Sequence, residues 1–141
     1  MELLRNEFSR FGPFSFPPGR PARALVGVSS AARRDELAGE LQREGYAVGE
    51  ASTGLELLAQ LAVERIDLVL IDPELPGTTV LDALPAGANG PKVIVLGAAG
   101  SPQLNTQVQR LRAAVLDPAS RVSTVIDCAL QLVSPVQLDP H

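Results

Sequence analysis

Ile66-Asp67-Leu68-Val69-Leu70-Ile71-Asp72-Pro73-Glu74-Leu75-Pro76-Gly77 decides how the rest of the chain is read. An unbroken apolar run, Leu68–Ile71, stops at an aspartate, and prolines and a glycine follow it, so a short strand gives way to a loop. The same grammar recurs on both sides. From Arg23 onward, short β-branched apolar runs alternate with amphipathic helical stretches, the pattern of βα units around a parallel sheet. The expected strands are Ala24–Val28, Ala47–Glu50, Leu68–Ile71, Lys92–Leu96 and Ala113–Leu116. Leu37 and Leu41 place a first helix over Arg33–Glu44, closed by Gly45 where a helix end favours a residue tolerant of positive φ. Leu55, Leu58, Leu61 and Ala62 mark a second helix; Leu104, Val108 and Leu111 a fourth; Val122, Ile126, Leu130 and Val133 a fifth. The third is short, Val80–Leu84, because Pro85, Gly87 and Gly90 follow at once.

Residues 1–22 stand apart. They hold all four phenylalanines, Phe8, Phe11, Phe14 and Phe16, spaced by Pro13 and followed by Pro17, Pro18 and Pro21. The expected organisation is an N-terminal extension over 1–22, one α/β domain over 23–134 and a tail over 135–141.

Composition narrows the function. At 141 residues with 45% apolar content the chain fits one domain with a sizeable core. A net charge of −4 and the lack of a lysine-arginine cluster argue against direct contact with nucleic acid. The single cysteine, Cys128, has no internal partner for a disulfide and reads as a small buried hydrophobe. The first residues are interrupted by charge, and no apolar run reaches the ~20 residues that span a bilayer. A soluble cytoplasmic protein without membrane insertion is expected.

Gln42-Arg43-Glu44-Gly45-Tyr46-Ala47-Val48, then Glu50-Ala51-Ser52-Thr53-Gly54, then the stretch quoted first resemble successive parts of the receiver domains of two-component response regulators. The resemblance covers roughly Arg23 to Val133. It implies a flavodoxin-like, doubly wound five-stranded parallel sheet of order 2-1-3-4-5, whose strand ends converge on one shallow site, and a role in bacterial two-component signalling. Asp72 falls on the family's phosphoacceptor position.

The other parts that the resemblance calls for are altered. The family places an acidic pair after the first strand to hold magnesium, where this chain reads Val28-Ser29-Ser30. A serine or threonine ends the family's fourth strand, where Gly97 stands here, and the fifth strand has no aromatic. A lysine before a proline follows the fifth strand in the family, where this chain has Asp117-Pro118, reversing the charge. Without a cation the electrostatic stabilisation of phosphoryl transfer is lost. A degenerate, non-enzymatic pseudo-receiver is therefore expected, with Asp72 a vestigial phosphoacceptor and neither metal nor other cofactor. It would serve as a protein-interaction, scaffold or localisation module that binds another signalling protein or a second copy of itself. The alternatives are a phosphorelay receiver that accepts phosphate on Asp72 by an atypical route and a small-ligand sensor at the strand-end crevice.

Several residues keep two readings. Asp72 is either a surviving acceptor or a strand-end aspartate bonded to nearby backbone. Ser29 and Ser30, with Arg33 and Arg34, could cradle an anion at a helix N-terminus or simply cap it. Asp72, Glu74 and Asp117 could form a relocated cation site. Phe8, Phe11, Phe14 and Phe16 either dock onto a partner or fold back on the domain. The Asp117–Pro118 peptide is expected to be cis, as the corresponding bond commonly is in the family.

Overall fold

The computed structural model describes residues 19–75, 80–87, 90–97 and 102–138. Phe8, Phe11, Phe14, Phe16 and His141 lie outside them. In chain order the elements are β1 (Gly19–Pro21), β2 (Arg23–Gly27), α1 (Ala31–Glu44), β3 (Ala47–Ala51), α2 (Gly54–Val63), β4 (Leu68–Ile71), α3 (Val80–Ala83), β5 (Lys92–Leu96), α4 (Pro102–Leu111), β6 (Ala114–Leu116), α5 (Val122–Leu132) and β7 (Val136–Leu138). The main sheet is parallel and runs β3-β2-β4-β5-β6. Counting only its own five strands, this is the expected order 2-1-3-4-5.

Helices cover both faces of this sheet, so its central strands have no polar side. Leu68 and Leu70 point into a core with Leu37 and Leu41 of α1 and Val125, Ile126 and Ala129 of α5. Val69 and Ile71 point the other way, into a core with Leu57, Leu75, Leu84 and Leu111. This period-two division explains why Leu68–Ile71 is apolar throughout and buried at every position.

Local chemistry sets the helix ends. Ser30 caps α1 by accepting from the Arg33 N–H, and Gly45 closes it at φ 108°, a left-handed conformation that glycine adopts without a Cβ penalty. Thr53 caps α2, and Glu56 reaches back to the N–H and hydroxyl of Ser52. These bonds hold the Glu56 carboxyl below its ordinary value.

The first and last described strands meet, a pairing that the sequence reading does not contain. β1 pairs antiparallel with β7, Gly19 facing Leu138 and Pro21 facing Val136, so part of the predicted extension and part of the predicted tail form one ribbon. Ala22 is fully buried and its N–H donates to Pro135 O at 2.7 Å. Arg20 grips Asp67 through two hydrogen bonds of 2.9 Å, and the Arg23 N–H donates to the same carboxylate. Burial by itself would raise the Asp67 pKa, but these hydrogen bonds, with the charges of Arg20 and Arg65, outweigh it and hold the pKa below the ordinary aspartate value. Three-residue strands are too short to carry a periodic signal, and this explains why the ribbon was illegible.

The crevice at the strand ends

Asp72 leaves the C-terminal end of β4 with its backbone N–H still bonded to Gly27 O. Its side chain turns toward two loops. Oδ2 accepts from the Ser29 hydroxyl at 2.7 Å and, more weakly, from the Ser29 N–H at 3.4 Å. Oδ1 accepts from the Glu74 N–H at 2.9 Å. The carboxylate therefore ties the β2–α1 loop to the turn that begins α3's approach. Ser29 and Ser30, alike in sequence, do different things: one holds Asp72 and the other caps α1.

The neighbouring positions have their own packing and hydrogen bonds. Gly97 ends β5 beneath the ring of Pro73, and a Cβ at Gly97 would lie 2.5 Å from Pro73 Cγ. The volume a serine or threonine side chain needs is filled by proline. Asp117 turns into its own loop, where Oδ1 accepts from the Ala119 N–H at 2.8 Å and the carbonyl accepts from the Ser120 N–H at 2.9 Å. That is a tight turn with proline at its second position, which an ordinary trans proline suits. The Asp117–Pro118 peptide is indeed trans, correcting the expectation of a cis bond. The expectation took its geometry from a lysine loop, and here an Asx-type turn has replaced that loop.

Arg33 and Arg34 are engaged with the protein itself. Arg33 crosses from α1 to the β6–α5 loop and donates to Ser120 O at 2.5 Å and Pro118 O at 3.5 Å, with Glu36 3.7 Å away. Arg34 donates to Val28 O at 2.7 Å and lies 3.6 Å from Glu50.

Between these loops lies an open crevice of about 390 Å³. Val28, Leu96, Gly97, Pro73 and Pro118 give it mostly apolar walls, and Ser30, Arg33, Asp72 and Glu74 supply its polar groups. The donor set does not fit the magnesium ion that the resemblance implies. Val28, Ser29 and Ser30 bring no carboxylate from β2, and the described residues hold no group of three metal-ligating side chains that could share an ion. The relocated site from Asp72, Glu74 and Asp117 fails the same test. Cys128 is half-buried, and burial pushes its thiol pKa up.

The family model described as "Response regulator receiver domain" matches residues 30–116. The chain belongs to the response regulator receiver domain family. The match begins one residue after Ser29 and ends one residue before Asp117, so two of the most altered positions flank it. No curated protein matches the chain. Among solved structures, the chain is similar to the chemotaxis response regulator CheY4 of Vibrio cholerae, at 22% identity and TM-score 0.70, over 81% of this chain and 100% of that one. A CheY-like receiver domain protein from Methanospirillum hungatei JF-1 matches at 22% identity and TM-score 0.69, over 79% and 93% of the two chains. The signal receiver domain of a putative LuxO repressor protein from Vibrio parahaemolyticus matches at 23% and 0.65, over 80% and 90%. At these identities the structural likeness speaks for the receiver fold alone, and membership of the receiver family supports a role in signalling. No helix among the described residues is long and apolar enough to cross a membrane.

Proposed function

We propose that this receiver domain works without phosphorylation, as a module that binds another signalling protein. The observation that carries the reading is the state of Asp72: its two oxygens are taken by Ser29 and by the Glu74 N–H, and no described cation is ion-paired with it. A phosphoryl group brought there would meet a carboxylate already bonded, with Asp117 in place of a lysine and no carboxylate pair to hold a metal. Asp117 and the missing carboxylate pair both work against the transfer.

The partner surface we assign is α4, β6 and α5. Among the described residues β6 is an edge strand of the main sheet, and Val115 on it is exposed, so an apolar contact is open beside backbone that no described strand pairs. The test is capture of partner from the native cell extract by the full chain, compared with Asp72→Asn and Val115→Asp. The reading expects equal capture by wild type and Asp72→Asn, with or without a phosphodonor, and loss with Val115→Asp. Capture that requires both Asp72 and phosphodonor would instead support the phosphorelay alternative.

A further inference from the structure

On the reading proposed above the crevice is not used for phosphoryl transfer, yet it is shaped and charged. Its floor is buried and apolar, with Val28 3% and Leu96 4% exposed, and Pro73 and Pro118 stand on opposite loops at its mouth. At that mouth lie Asp72 and Glu74, and Asp117 precedes Pro118 on the adjoining loop, its carboxylate accepting from the Ala119 N–H. Among the described residues none of the three carboxylates has an arginine or lysine partner. The cation in the wall, among the described residues, is Arg33, which is turned to the Pro118 and Ser120 carbonyls and to Glu36.

We infer that this crevice receives a basic side chain, arginine above lysine, presented by the partner protein. This rests on the docking reading above and names the chemistry of the partner. An apolar slot with an acidic rim complements a side chain whose alkyl stem is apolar and whose tip is cationic. The carboxylates do not converge on a point, as the absence of a metal-binding group among the described residues shows, so a compact divalent ion is poorly served. A planar guanidinium with five donors can reach separated acceptors. The rim is also continuous with the proposed partner surface, because Asp117 and Pro118 directly follow β6. A protein lying on α4, β6 and α5 reaches the crevice by crossing that one loop.

The experiment titrates a blocked peptide, acetyl-Gly-Arg-Gly-amide, into the isotope-labelled full chain, beside the same peptide with citrulline in place of arginine. Citrulline keeps the shape and removes the charge. Saturable NMR shifts at the Ser29, Glu74 and Gly97 amides are expected with a Kd on the order of millimolar. Binding should weaken about tenfold with citrulline, and about fivefold in the double variant Glu74→Gln, Asp117→Asn. The amide introduced by Asp117→Asn keeps an oxygen that can accept from the Ala119 N–H, so this variant should fold. Equal binding of the two peptides, shifts spread along acidic α1 instead of these amides, or none by about 10 mM peptide would overturn the inference. Such a failure is distinct from failure of the docking reading, which is read from capture by Val115→Asp, where the crevice is intact.

Discussion

Pro73 lies on Gly97. The ring of the residue after Asp72 approaches so closely that a Cβ on Gly97 would sit 2.5 Å from Cγ and 2.8 Å from Cδ. Loss of the hydroxyl position at the end of β5 and the presence of proline after Asp72 are one packing solution, seen from two strands. Restoring the family's residue alone should therefore do harm. Gly97→Ser is expected to destabilise the domain by about 1–3 kcal/mol, the usual cost of overpacking. Pro73→Ala should relieve most of that cost in the double variant. Urea denaturation of the four proteins measures the coupling, and an unchanged midpoint for Gly97→Ser would mean that the loop yields freely.

Ser29 and Asp72 form a second coupled pair. The hydroxyl donates to the carboxylate at 2.7 Å in an exposed setting, so Ser29→Ala should cost about 0.5–1.5 kcal/mol. In Asp72→Ala the same serine substitution should cost almost nothing. Additive losses in a double-mutant cycle would show that Ser29 does not hold Asp72 in solution.

Acid should loosen the end ribbon through Asp67. Its carboxyl has a lower pKa in the folded chain than in the unfolded one, so its contribution is complete above the unfolded value of about 3.9 and is lost as pH falls through the depressed folded value. Asp67→Asn should be less stable than wild type at neutral pH, by about 1.5–3 kcal/mol for the loss of charged hydrogen bonds. The gap should close on acidification. Thermal melts of both proteins from pH 7 downward check this, and a gap independent of pH would remove Asp67 from the acid response.

Two truncations separate the roles of the N-terminus. Deleting residues 1–22 removes β1, the Arg20–Asp67 pair and buried Ala22, and should cost about 2–4 kcal/mol whatever the phenylalanines do. Deleting residues 1–18 leaves that ribbon whole. If Phe8, Phe11, Phe14 and Phe16 dock onto a partner, the shorter deletion should abolish capture and leave the melting temperature nearly unchanged. If they cover the domain itself, the melting temperature should fall instead.

The sheet was legible because burial on both faces writes itself into the chain: Leu68–Ile71 and Lys92–Leu96 have the predicted bounds. Arg23–Gly27 begins one residue before its prediction, where the sequence pattern cannot see the hydrogen-bond ladder. At the strand ends the residue types could be read directly from the chain. Their consequences could not. That Ser29 serves Asp72 while Ser30 serves α1, that Arg33 spans to Ser120, and that Pro73 fills the space above Gly97 depend on side-chain directions between distant loops. Arg20 and Asp67 were missed for the same reason, as two charged residues 47 positions apart with nothing local to join them.

The most direct test of phosphorylation independence is an NMR titration of the full chain with beryllofluoride and magnesium, alongside Asp72→Asn. Unchanged signals for Ser29, Asp72, Glu74 and Gly97 are predicted, identical to the response of the variant. Saturable shifts at those residues in wild type that vanish in Asp72→Asn would contradict it.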